Sequence, residues 1–129
     1  MKIYILAAAL RGLVSCGVQS NICEAPTRAE NETLEGCIHR SAYEFARSDG
    51  TNTELADATV TQCEALVKQK AERLLEIGVE LAHRRGLEGT GAQYLEAREQ
   101  YLTSVRDDAR ADALRRVIQA KSGTCEAVD

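Results

Sequence analysis

The sequence is poor in aromatic residues and nearly without proline. Aromatics make up 4% of the 129 residues, with one Phe and no Trp, and Pro26 is the single proline. Such a chain must build its core from Leu, Val, Ile and Ala. That favours closely packed helices over a β-sandwich, which needs more turn residues at this size. A basic excess is missing too: the net charge is −4, with both signs interspersed. Nucleic-acid binding normally rests on a basic face, so no nucleic-acid partner is expected. No C-x-x-C spacing occurs, which leaves a zinc ribbon or a thioredoxin-type motif without ligands.

The N-terminus carries the first positive signal. Lys2 gives a charged start, and residues 3–10 form an apolar run. The run has the length of a signal-peptide core and is too short to span a bilayer. Arg11 interrupts it. Leu13, Val14, Ser15 and Cys16 then resemble a bacterial lipobox. The resemblance implies that Cys16 is acylated and becomes the new N-terminus. Residues 1–16 would be the signal peptide, 17–26 a tether and 27–125 the helical domain. Two other readings stand beside it. One is cleavage after Ser20, where Val18 and Ser20 suit a signal peptidase. The other is an amphipathic first helix in a cytosolic protein with free thiols.

The cysteine count agrees with export. There are five: Cys16, Cys23, Cys37, Cys63 and Cys125. Removing Cys16 by acylation or cleavage leaves four. An even count in a short exported chain implies disulfides.

Apolar spacing predicts three helices in an antiparallel bundle, a helical hairpin plus a long third helix. The first carries Leu34, Cys37, Ile38, Ala42 and Phe45 at steps of three and four. Thr27 with Glu30 makes a capping box for it; Asn31 or Thr33 is the alternative cap. A polar turn follows at 48–52. Thr53 is the expected cap of the second helix, whose stripe runs Val60, Cys63, Val67, Ala71, Leu74, Gly78 and Leu81. His83, Arg84 and Arg85 place positive charge in its last turn, and Gly86 ends it. Thr90 caps the third helix, expected over 92–121. Its stripe holds Tyr94, Tyr101, Leu102, Val105, Ala109, Ala113, Val117 and Ala120.

Cys37 and Cys63 lie equally far from Gly50, at the centre of the first turn. Antiparallel helices rise by the same amount per residue, so the two cysteines fall at one height. Both sit on stripes that face each other, and a Cys37–Cys63 disulfide is predicted. Cys23 and Cys125 pair by elimination. Bundle geometry does not obviously join them: Cys125 falls near the first turn, while Cys23 precedes the first helix. A late start of that helix, or a bond between chains through Cys125, resolves the conflict.

Few side chains suggest chemistry. Glu80-x-x-His83 has the spacing of a di-iron carboxylate motif, but the second copy such a site needs is missing. Charge complementarity at a helix end accounts for His83 more simply. His39 with Glu35 reads as a surface hydrogen bond one turn apart. No free thiol shares a face with His39, so a Cys–His nucleophile has no basis. Gly-Thr-Gly at 89–91 opens a helix with no preceding strand and no completing Lys, and reads as a turn. No catalytic residue, metal site or cofactor is expected.

The placement of Cys37 and Cys63 around a polar turn, with Ala-rich helices and Gly123-x-Cys125, resembles small exported bacterial helical proteins. Over roughly residues 23–75 the cysteine placement is also similar to the helical domain of LprI-type lysozyme inhibitors. The resemblance implies an envelope protein that binds another protein. The expected function is therefore a non-catalytic, periplasmic or envelope-anchored interaction module, joined to the membrane by a lipid if Cys16 is acylated. The expected partner-facing residues are Leu74, Leu81, Tyr94 and Tyr101, left uncovered where the second and third helices outlast the first. A protein partner or a second copy would cover them. The alternatives are a small metal-binding or enzymatic helical protein, or the cytosolic protein with free thiols.

Overall fold

The structure, a computed structural model, describes residues 23–127. The expected signal peptide, Cys16 and the first part of the expected tether lie outside the described residues. Four helices are present: α1 Leu34–Phe45, α2 Asn52–Gln62, α3 Glu64–Arg84 and α4 Gly91–Ser122. No strand occurs among the described residues. The all-α class agrees with the sequence pattern, but there are four helices rather than three.

The extra break falls at Cys63, whose backbone takes φ −100° and ψ 11°. Its N–H is shared between the carbonyls of Thr59 and Val60, at 3.2 and 3.1 Å. Just upstream, the hydroxyls of Thr59 and Thr61 donate back to the Leu55 and Asp57 carbonyls, at 2.8 and 2.9 Å. Back-bonding of this kind bends helices. The expected second helix is thus one arm with a bend, and apolar periodicity does not report bends.

The caps explain where the helices begin. Thr33 caps α1, its hydroxyl accepting from the Gly36 N–H at 3.1 Å. The Thr27 box is not used. Thr51, rather than Thr53, caps α2. Its hydroxyl accepts from the Glu54 N–H while the Glu54 carboxylate accepts from the Thr51 N–H at 2.8 Å. Only position 51 has the acid three residues on that closes this reciprocal pair. Thr90 and Gln93 repeat the arrangement for α4. Gly123 ends α4 in the left-handed conformation, φ 73°, which a glycine adopts without steric cost.

α4 is the spine, and α1, α2 and α3 all pack on it. The core joins Leu34, Cys37 and Ile38 of α1, Ala56 and Val60 of α2, Val67 and Ala71 of α3, and Val105, Ala109 and Ala113 of α4. Alanines at 56, 109 and 113 leave little between the helix backbones. Exposed ion pairs mark the antiparallel register: Arg98–Glu72, Arg106–Glu64 and Arg110–Asp57. As the number climbs along α4, its partner's number falls. Exposed pairs of this kind contribute about 0–1 kcal/mol each.

Two disulfides close the bundle. Cys37 and Cys63 are bonded, Cα–Cα 6.0 Å, and both are buried. Cys23 and Cys125 are bonded, Cα–Cα 5.3 Å. The late start of α1 makes the second bridge possible. Cys23 packs against Tyr43, Ala46 and Ala120, at the first-turn end of the bundle. Residues 24–33 then run back along α1 to Thr33 as a non-helical strap.

Candidate interaction surface

Beyond the level of Leu34, α3 and α4 continue without α1. Glu35 of α1 reaches Lys70 of α3, yet α3 runs on to Arg84 and α4 starts at Gly91. Packing on this overhang involves two helices only. Ala71 and Leu75 are the last buried residues of α3. The large exposed hydrophobics among the described residues are Leu74, Ile77, Val79, Leu81, Leu87, Tyr94, Leu95 and Ile118. All but Ile118 and Leu74, which borders the start of α1, lie on the overhang. The exposures run from 36% at Leu74 to 63% at Leu87.

The two helices and their loop enclose a groove of about 490 Å³. Leu75, Gly78, Val79 and Ala82 form one wall, Tyr94, Ala97 and Tyr101 the other, and Leu87 to Thr90 the end. Gly78 shapes it. A Cβ there would meet the Tyr101 hydroxyl at 2.8 Å, so only glycine lets the phenol lie against α3 without displacement. The sequence pattern placed Gly78 on the stripe but gave no sign of the ring beside it. Tyr94 and Tyr101 thus line one groove. Leu74 and Leu81 do not join them. Leu74 borders a second cleft of about 380 Å³ between α1, α3 and α4. Leu81 is exposed on α3 outside both clefts.

Buried polar groups lie on and around α1. His39 is buried, contrary to the expected surface pair, and Glu35 bonds Lys70 instead. The His39 ring meets Tyr43 edge-on, centroids 4.5 Å apart, and its Nε2 has no hydrogen-bond partner. Burial and the nearby Arg116 guanidinium hold its pKa below the usual 6.5. The Tyr43 hydroxyl accepts from the Glu126 N–H at 3.0 Å. Arg40 is buried with Glu32 in a two-point pair: Nε to Oε1 at 2.8 Å and Nη2 to Oε2 at 3.1 Å. That pair draws the Glu32 carboxyl below its ordinary range. No spacing rule joins a residue before a helix to one eight positions on, so sequence reading missed it.

Among the described residues, no three His, Cys, Asp or Glu side chains are grouped to hold a metal ion. Glu80 pairs with Arg84, and His83 lines the groove. No described helix is long and apolar enough to cross a membrane.

The fold defines a small all-α bundle closed by two disulfides, which points to an oxidising, non-cytosolic compartment. No protein-family model, curated protein or solved structure gives a significant match to this chain.

Proposed function

We propose that this chain is a non-catalytic interaction module of the cell envelope, exported and tethered through an acylated Cys16. The observation that carries the reading is the exposed apolar overhang. Seven large hydrophobic side chains on α3, its loop and the start of α4 are exposed to water, and such surfaces are commonly covered by a partner. Such a tether would also give the groove a direction. The described residues begin at Cys23, beside Ala120 near the end of α4. The groove lies around Tyr94, near the start of α4. At 1.5 Å per residue along α4, the two are roughly 40 Å apart. A lipid before Cys23 would leave the groove facing away from the membrane.

The partner is another protein or a second copy of this chain. The second copy is the simpler test. Light scattering of the mature, oxidised protein at micromolar concentration should show more than a monomer. Ala82→Glu puts a charge on the groove wall, away from the buried core. It should return the protein to a monomer with its melting temperature little changed. A monomer of the unmodified chain across that range contradicts the prediction.

A further inference from the structure

The two disulfides differ in how they are held. Cys37 and Cys63 are 3% and 1% exposed, inside the core between α1 and the α2–α3 arm. In the other bridge Cys23 is buried, but Cys125 is an exposed residue in the C-terminal tail, so this bridge lies at the surface rather than inside the core. The segments on either side of that bridge also differ. The C-terminal tail has anchors of its own. The Glu126 carboxylate accepts from Arg115, Arg116 and Gln119 at 3.0, 3.3 and 2.9 Å, and its N–H donates to Tyr43. The strap does not. Among the described residues, nothing from Glu24 to Asn31 hydrogen-bonds to a helix. Its fixed points are the Cys23 end, where Arg47 also donates to the Cys23 carbonyl at 3.4 Å, and Glu32 on Arg40.

We propose that the Cys23–Cys125 disulfide is a redox clasp on the strap: a dithiol opens it selectively, and residues 23–31 swing away about Glu32 while the helices stay packed. The chemistry balances as ordinary exchange. A thiolate of the dithiol attacks the Cys125 sulfur, the Cys23–Cys125 bond breaks, and Cys23 leaves as the thiolate and takes up a proton. The second thiol of the reagent then displaces Cys125, and the reagent departs as its own disulfide. Two electrons pass from the dithiol to the bridge. Opening uncovers Tyr43, Ala46 and Ala120, which Cys23 and Ala25 cover in the closed form. The Cys37–Cys63 bridge keeps α1 on the arm throughout. The apolar patch uncovered lies at the opposite end from the overhang groove, so the clasp stands or falls independently of what binds there.

The test uses the full oxidised chain, dithiothreitol as the dithiol, and alkylation of thiols at timed intervals. Cys23 and Cys125 should be labelled at least ~10-fold faster than Cys37 and Cys63. The singly reduced species should keep its helical circular dichroism. Amide exchange over residues 24–31 should quicken at least ~10-fold while that of α1 and α4 holds. Equal labelling of all four cysteines, loss of helix with the first bridge, or unchanged exchange in the strap would each overturn the proposal. The variant Cys23→Ser/Cys125→Ser should show the quickened strap exchange without any reductant. Failure of that variant to fold would also contradict it.

Discussion

Arg40→Ala is expected to destabilise the protein by about 3–5 kcal/mol, the usual cost of removing one partner of a buried ion pair. The Arg40 and Glu32 side chains are 10% and 8% exposed. Without the guanidinium, the Glu32 carboxylate stays in a largely dry site. Arg28 lies 3.7 Å from it but is itself mostly exposed, so it compensates little. The pH dependence identifies the cause. In the wild type, Arg40 lowers the Glu32 pKa from its ordinary 4.5. A carboxyl depressed on folding adds stability above that ordinary value. The contribution fades as pH falls through the folded value. In Arg40→Ala, burial becomes the dominant influence and raises the same pKa. The sign then reverses: protonation relieves the variant, and its deficit against wild type should shrink on acidification. Urea melts of both proteins between neutral pH and pH ~4 measure this directly. A deficit that stays constant with pH would show that packing, not charge, sets the cost.

Cys37→Ala/Cys63→Ala is expected to cost a similar amount. The bridge spans 26 positions. In the chain-entropy account, such a loop stabilises the native state by roughly 3–4 kcal/mol, by restricting the unfolded chain. Ser41 touches both sulfurs, and Leu34, Ile38, Ala56 and Val60 share the cluster. Both sulfurs are buried, so their lost packing adds to the entropic cost. Urea melts under oxidising conditions, with Cys23–Cys125 intact, give the value. A loss below ~1 kcal/mol would mean that the helices hold each other without the staple.

The sequence carried the frame of this fold well where one rule decided the outcome. Equal spacing of Cys37 and Cys63 about Gly50 needed only antiparallel helices of uniform rise, and the pair is bonded. Thr90 and Gly123 bound α4 because capping chemistry is local. The buried stripe from Val105 to Ala120 followed from helical period alone. Other features depended on interactions that no period encodes. The bend at Cys63 comes from Thr59 and Thr61 hydroxyls turning back on their own helix, a choice between rotamers. The path of the strap rests on Cys23 finding Tyr43 and Ala46, at the far end of a helix that starts eleven positions after it. His39 read as a surface residue because its spacing to Glu35 suggested a pair. Lys70, from another helix, took that carboxylate. On α3 the predicted stripe did not hold throughout: Leu74, placed on it, is exposed, and its neighbour Leu75 is buried instead. The Tyr94–Tyr101 groove depends on Gly78 admitting a ring from across the hairpin.

Four described cysteines joined in two bridges require a compartment that keeps them oxidised. The most direct test is the intact mass of the protein from its native host, alkylated before any reduction. Protein with Cys23, Cys37, Cys63 and Cys125 all unlabelled, and a mass that gains four hydrogens only on reduction, is the predicted result. Alkyl groups on Cys37 and Cys63 in unreduced material would contradict both the stapled fold and the oxidising compartment.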